Sequence, residues 1–269
     1  MTDEIVGLVP AAGGGTRLYP FSKAVPKEMY PILGKAAIEH CIENLRAGGI
    51  RKVFVVVGYQ KGVLMDYLGD GSPFGVDAAY IYQPQRKGLG HAILQARSWI
   101  PGPFVVLLGD SFIEPKGEIN DLLALHRKEQ PLATVLLFGV DDPAGYGIAR
   151  LDQREIRELI EKPAPAEAKR FQAEGRYLAI TGVYVLDPRI FPYLERTQPG
   201  AKGEVQITDA LQLAVQAGEK VLGLVLKGRY LDIGKWRTVL QIEKELAEGM
   251  DVDLVAQERE ALMRSMHQE

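Results

Sequence analysis

Three consecutive glycines, Gly13, Gly14 and Gly15, stand directly behind the apolar run "EIVGLVPAA" and are followed by Thr16, Arg17, Lys23 and Lys27. Glycine lacks the Cβ that keeps an anion away and takes positive φ without strain, so such a loop can turn backbone N–H groups toward a phosphate. Arg17 and Lys27 bracket it with fixed positive charge, which a triphosphate needs if its α-phosphorus is to be attacked. A tight turn without a ligand would account for the glycines but not for the two cations. Two carboxylates far downstream suit the same chemistry. Asp110 and Asp232 close the apolar runs "FVVLLGD" and "RYLD", and a hard Mg²⁺ ion is commonly held by one or two carboxylates together with phosphate oxygens. Taken singly, an Asp at a strand end is as readily a turn or helix cap.

Spacing excludes two familiar phosphate loops. No G-x-x-x-x-G-K-[ST] string occurs in the chain, so it has no P-loop. In a dinucleotide fingerprint Leu18 would occupy the place of the third glycine, and Lys35 rather than an acid lies about twenty residues on, which disfavours a hydride-transferring enzyme. His91 and His126 have no partner at zinc spacing, and His126 reads as a surface or boundary residue. The single cysteine, Cys41, lies on the apolar side of "AIEHCIENL" and reads as a buried thiol.

The elements that must position these groups alternate from the start. Apolar runs rich in β-branched residues, "EIVGLVP", "KVFVVVGY", "VDAAYIYQ", "PFVVLLGD" and "ATVLLFGV", are separated by helical periodicity in "AIEHCIENL", "GVLMDYL", "LGHAILQARSWI" and "EINDLLALHRKE". Continuous apolar strands such as "VFVVV" imply burial on both faces, as in a mainly parallel sheet covered by helices. The expected fold is therefore a doubly wound, Rossmann-like α/β sheet. From Tyr146 the strands "YGIARLD", "REIRELIEKP", "RYLAITGVYVLD" and "KVLGLVLKGRYLDIG" lie closer together and suit a smaller mixed-sheet lobe. We expect one domain over 1–249, with halves at about 1–140 and 141–234, and a C-terminal tail or helix over 250–269.

"GGGTR" followed ten residues later by "PKEM" resembles the signature of the sugar-1-phosphate nucleotidylyltransferases, which join a nucleoside triphosphate to a sugar phosphate. The resemblance runs from about Ile5 to about Leu246, through "QPQRKGLGHAI", "LLGDS", "GYGIAR", "EKP", "ITGVYVLD", "KGEVQITDAL" and "YLDIG". It implies that Ala12, Gly13, Gly14, Gly15 and Thr16 wrap the triphosphate, that Gln83 and Gly88 meet a pyrimidine base, and that Gly109 leads to the metal carboxylate. It implies Asp110 and Asp232 as Mg²⁺ ligands and Arg17, Lys27 and Lys162 as the catalytic cations. Gly147, Glu161, Lys162, Thr181, Gly182, Lys202 and Glu204 match the sugar-phosphate side, and His91 would shape the helix of the base pocket. "PKEM", "GLGHAI" and "GEVQITDAL" resemble glucose-1-phosphate uridylyltransferases and favour UTP. Ser111, where those enzymes usually carry a second acid, and the short segment between Gly58 and Gln83 resemble thymidylyltransferases using dTTP. A nucleotide-sugar sensor of the same fold is a reading from a different class; the intact set of cations and carboxylates speaks against it.

Composition bounds the rest. The 269 residues are 46% hydrophobic and 25% charged, with no apolar run near the roughly 20 residues that a membrane helix needs. "MTDEIVGLVPAA" carries two acids and no basic region ahead of its apolar residues, so the expected location is cytoplasmic. A net charge of -3 without a basic stripe argues against a nucleic-acid surface. The expected partners are a nucleoside triphosphate and a sugar 1-phosphate, with room left for a homo-oligomer.

Overall fold

The computed structural model describes residues 4–32, 34–200, 203–234 and 236–247. The strands in chain order are β1 (Val6–Pro10), β2 (Pro31–Ile32), β3 (Lys35–Ala36), β4 (Lys52–Val57), β5 (Asp77–Tyr82), β6 (Phe104–Leu107) and β7 (Ser111–Glu114). They continue with β8 (Ala133–Val140), β9 (Gly147–Asp152), β10 (Glu155–Glu161), β11 (Tyr177–Leu186), β12 (Val221–Val225) and β13 (Arg229–Asp232). Nine of them form one sheet in the order β5-β4-β1-β6-β11-β8-β12-β10-β9. The β5-β4-β1-β6 part is parallel, as the continuous apolar strands imply. The later strands extend the same sheet: β8 lies between β11 and β12, and β11 runs antiparallel to both β6 and β8.

Helices cover both faces. On one side the helices Leu89–Leu94, Phe191–Arg196 and Ile207–Gln216 pack on a core that includes Leu8, Val106, Val135, Leu159 and Leu211. On the other, Ala37–Ala47, Lys61–Leu68 and Glu118–Glu129 bury Ile38, Ile42, Leu45, Leu64 and Leu122 against Val9, Val55 and Val105. Helix Ala37–Ala47 forms because its apolar residues recur at helical spacing and Glu39 turns back to accept from the N–H of Ala36; Gly49, at φ 76°, ends it. Cys41 is fully buried on the apolar face of this helix, as its setting suggested.

Order along the sheet decides where a ligand can bind. From β1 the chain moves outward through β4 to β5, then returns to place β6 on the other side of β1. The loops after β1 and β6 therefore diverge and open a crevice at their carboxyl ends, the topological switch point of an open α/β sheet. Gly13 to Arg17 follow β1, and Asp110 follows β6.

Two local features differ from the reading by periodicity. The run "KVLGLVLKGRYLDIG" divides into β12 and β13: the turn at Gly228 brings its backbone so close to the carbonyl of Glu114 that a Cβ there would collide with it. β13 leaves the large sheet and pairs antiparallel with β7, a strand hidden in sequence because only three residues separate the end of β6 from Ser111 on the way to "FIE". His126 is buried, not at the surface. Its Nδ1 lies 2.9 Å from the hydroxyl of Thr134, because helix Glu118–Glu129 turns that face onto β8.

Burial, opposed by Asp187 and assisted by Arg189, pushes the imidazole of His126 down to about 4 from its usual 6.5. On acidification the unfolded chain takes up this proton first, so His126 contributes stability that is present above about pH 6.5 and lost as pH falls through about 4. We expect denaturant titrations to lose about 3 kcal/mol between pH 7 and pH 4 from this group. His126→Asn should flatten that part of the curve; an unchanged slope would remove His126 as its source.

Candidate active site

A cleft of about 540 Å³ opens at the switch point. One wall is the glycine loop. Gly15 has φ 58°, and a Cβ on it would lie 2.9 Å from Cβ of Ser22, so the loop closes this tightly only with glycine there. Ser22 donates from its hydroxyl to the carbonyl of Gly15 at 2.6 Å, and the N–H of Leu18 donates to the same carbonyl at 2.8 Å, which fixes the turn into Thr16–Leu18. Leu18 is fully buried in a small core with Ile32, Phe112, Ile233, Val239 and Ile242. That core ties the loop to β7, β13 and the helix Trp236–Ala247, and it leaves Arg17 facing outward with Nη1 3.9 Å from Oδ2 of Asp232.

The floor holds the acidic pair. Asp110 ends the segment after β6, and Asp232 reaches the same place because β13 pairs with β7 in a register that sets Asp232 opposite Ser111. A Cβ on Gly234 would stand 2.7 Å from Oδ1 of Asp232 and 3.3 Å from Oδ2 of Asp110. The two carboxylates thus converge on one small space, although 121 residues lie between them in sequence. Lys27 donates from Nζ to Oδ2 of Asp110. Burial lowers the pKa of the Lys27 ammonium, but the neighbouring Asp110 carboxylate outweighs burial and raises it above the usual lysine value, so Lys27 is a permanent cation. Among the described residues, no cluster of three or more His, Cys, Asp or Glu side chains could close a metal cage by itself.

The opposite wall comes from the later strands. Gly147 and Glu161 face one another in the β9–β10 register. The carboxylate of Glu161 accepts from Nζ of Lys162 at 2.6 Å and from the hydroxyl of Thr208 at 2.8 Å. Lys162 sits in the left-handed region at φ 44°, and its N–H donates to the carbonyl of Tyr146 at 3.0 Å, which turns the chain back at the cleft. In β11 the register against β8 slips between Ile180 and Tyr184, and this bulge presents Gly182, at φ 84°, beside Leu108.

Beside the glycine loop, Gln83 extends from the end of β5. Its Nε2 donates to the carbonyl of Gly88 at 3.3 Å and lies 2.9 Å from Nδ1 of His91. Burial, together with Lys87, lowers the pKa of His91, so its neutral ring can accept that bond. With the amide nitrogen occupied, Oε1 of Gln83 is the atom left to accept a proton donor entering the cleft.

Of the residues singled out in sequence, Ala12 to Arg17, Lys27, Gln83, Gly88, Asp110, Gly147, Glu161, Lys162, Thr181, Gly182, Glu204 and Asp232 all line this one cleft. Gly109 does not line it. Its α-carbon packs behind the floor, where a Cβ would lie 2.9 Å from Cγ of Glu28, and glycine is needed there for close approach to Lys27–Met29. Thr181 borders the cleft, yet its hydroxyl donates to the carbonyl of Leu136 at 2.9 Å and accepts from the N–H of Val183 at 3.2 Å; it holds the β11 bulge. Lys202 and the tail over 250–269 lie outside the described residues.

Sequence reasoning passed over Glu28, Arg86, Tyr146, Gln206, Thr208 and Tyr230, which also line the cleft. Glu28 is the most unusual: it is 1% exposed, and neither carboxylate oxygen accepts a hydrogen bond among the described residues. Burial pushes its carboxyl up to about 8, with Lys27 opposing and Asp110 adding, so at neutral pH it is mainly the protonated acid. Its only signal in sequence was an acid inside "PKEM", otherwise a segment that must pack.

A glycine loop, two convergent carboxylates and clustered cations thus meet in one cleft at the switch point of an α/β sheet. The Nucleotidyl transferase family model matches residues 6–249, and the chain belongs to that family. It is 34% identical over 247 residues to the glucose-1-phosphate thymidylyltransferase of Streptomyces antibioticus, covering 91% of this chain and 67% of that relative. It is also 34% identical to the UTP–glucose-1-phosphate uridylyltransferase of Staphylococcus epidermidis (strain RP62A), covering 85% of this chain and 87% of that protein. Against the bifunctional protein GlmU of Methanococcus maripaludis, 36% identical, the chain spans about half the relative's length. Among solved structures, a UDP-glucose pyrophosphorylase complexed with UDP-glucose superposes with a TM-score of 0.81 at 30% identity, covering 91% of this chain and 99% of that one. These relatives bear out the resemblance to sugar-1-phosphate nucleotidyltransferases and the α/β fold expected from it. Among the described residues no helix is long and apolar enough to cross a membrane.

Proposed function

We propose that the chain transfers a uridylyl group from UTP to glucose 1-phosphate, releasing pyrophosphate. The observation that carries this is the arrangement of the cleft: glycine loop and Arg17 on one side, Glu161, Lys162 and Thr208 on the other, and Lys27 against Asp110 between them. A phosphate oxygen of the sugar phosphate attacks the α-phosphorus; the new P–O bond forms as the bond to the β-phosphate oxygen breaks, and pyrophosphate carries away that electron pair. No covalent enzyme intermediate is needed, because the residues act by position and charge. Lys162 holds the attacking phosphate. Lys27 meets the α-phosphate, where charge develops. The amides of Gly13 to Thr16 and the guanidinium of Arg17 hold the departing pyrophosphate.

The converging oxygens of Asp110 and Asp232 are hard donors around a space that a single Cβ would fill, and they suit Mg²⁺ completed by phosphate oxygens and water. Bound there, the ion would supply charge neutralisation to the phosphates. Asp110 and Asp232 keep their carboxylates aimed at that point, and Lys27 holds Asp110 in place.

Oε1 of Gln83 matches the N3–H shared by uracil and thymine and has no complement on N3 of cytosine. Uridylyl transfer is favoured by "PKEM", "GLGHAI" and "GEVQITDAL". Ser111 and the similarity to the Streptomyces antibioticus enzyme favour the second reading, thymidylyl transfer from dTTP. Pyrophosphate release measured with UTP, dTTP, CTP, ATP and GTP against glucose 1-phosphate, with and without Mg²⁺, tests both. We expect release with UTP, less with dTTP, and none above background with the other three or without the ion. Gln83→Ala should lower kcat/KM for UTP by about 10-fold or more, as expected when a buried base contact is lost. Tight binding of UDP-glucose without release from any triphosphate would overturn transfer and favour a nucleotide-sugar sensor.

A further inference from the structure

Four cations line the cleft among the described residues, and three of them already face a carboxylate: Lys27 faces Asp110, Lys162 faces Glu161, and Arg17 lies near Asp232. The fourth, Arg86, makes no ion pair among the described residues. It stands in the loop between β5 and the helix Leu89–Leu94, three residues beyond Gln83. Its guanidinium folds back across the glycine loop: a Cβ on Gly14 would collide with Nη1 and lie 3.4 Å from Cζ. Cζ is also 5.8 Å from the ring centre of Tyr59, a tyrosine that is 73% exposed at the end of β4. At that distance the aromatic face supports the guanidinium, and Tyr59 itself does not line the cleft.

This placement sets an unneutralised cation above a loop that also presents positive dipoles. Arg86 is exposed and so solvated in the open cleft, and no carboxylate among the described residues pairs with it; an anion entering over the loop would be shared by the guanidinium and the loop N–H groups. The order of the cleft says which anion. Lys162 and Glu161 mark the sugar-phosphate end, Lys27 and Asp110 the α-phosphorus, and Gly14 lies beyond them on the triphosphate side. We propose that Arg86 closes over the β- and γ-phosphates and, with the glycine loop, clamps the pyrophosphate half of the triphosphate. Arg86 is a binding residue here; the inference deepens the proposed function and takes from it the nucleoside triphosphate as ligand and its order along the cleft.

A contact confined to the terminal phosphates separates the substrates. UTP and pyrophosphate carry the groups that Arg86 would hold; in UDP-glucose the pyrophosphate half has left. Arg86→Ala and Arg86→Lys in the full chain, with calorimetric binding of UTP and UDP-glucose and turnover in both directions, test this. Arg86→Ala should weaken UTP about 10- to 30-fold and raise KM for UTP and pyrophosphate by a like factor, the loss of one charge-assisted contact. We expect kcat to change by less than about threefold and UDP-glucose affinity to stay the same, because the bonding at the α-phosphorus is untouched. Arg86→Lys should restore part of the loss as a point charge. The same comparison with dTTP and dTDP-glucose covers the other pyrimidine. Equal weakening of UDP-glucose would instead place the guanidinium on the base or ribose and overturn the assignment, as would unaltered UTP affinity. Should the wild-type chain bind UTP without turning it over, the transferase reading fails alone and the calorimetric comparison still decides the role of Arg86.

Discussion

Lys27→Ala should lower turnover by ~10²–10³-fold, the loss found when a preorganised electrostatic stabiliser is removed from a buried site. The Lys27 ammonium is held in place and kept charged by Asp110, so it does not have to be organised at the moment of reaction. Lys27→Arg should recover little, since the site is shaped for a compact ammonium and Cε of Lys27 already lies 3.3 Å from where a Cβ on Gly13 would stand. The effect should fall mainly on kcat, with the apparent affinity for nucleotide changed far less, because Lys27 acts where charge builds up in the transition state. A loss confined to KM would move Lys27 from stabilising the reaction to binding the ground state.

Asp110→Asn is expected to cost a comparable ~10²–10³-fold and also to raise the Mg²⁺ concentration needed for half-maximal rate, since one of two hard carboxylate donors is gone. The substitution also removes the partner that fixes Nζ of Lys27, so the Lys27 and Asp110 variants belong to one unit. Their combined loss should be well short of the product of the single losses, as happens when residues sharing an interaction are removed together. Multiplicative losses would show that the two act separately. A Mg²⁺ dependence unchanged in Asp110→Asn would take the carboxylate out of metal binding altogether.

The parallel core was open to sequence reading because its strands carry their burial in their composition. "VFVVV" and "FVVLL" can only be strands covered on both faces, and the helices between them show their inward side every three or four residues. The glycine loop was equally plain, because Gly13 to Gly15 and the bracketing Arg17 and Lys27 are local. Where prediction failed, the deciding contacts were distant. β7 is short and follows β6 almost at once, and only its pairing with β13 makes it a strand. His126 looked like a boundary residue until the packing of its helix on β8 enclosed it with Thr134. Thr181 matched a sugar-side position in sequence and does border the cleft; only the tertiary structure shows that its hydroxyl also holds the β11 bulge. Arg86 carried no local mark at all: nothing in "QPQRKGLG" says that its guanidinium folds back over Gly14.

By itself the sequence determined which groups are available: an anion loop, its flanking cations, two candidate metal carboxylates and a chain pattern that must bury a parallel sheet. It determined them because glycine conformation, side-chain charge and hydrophobic period are properties of residues and near neighbours. The tertiary structure alone decided that these groups meet. Strand order opens the crevice between the ends of β1 and β6, and the β7–β13 register carries Asp232 to Asp110 across 121 intervening positions. On the buried floor Asp110 then keeps Lys27 a cation against the cost of its burial, and burial leaves Glu28 protonated up to about pH 8. Such charge states depend on burial and on partners brought from elsewhere in the chain, which no local spacing encodes.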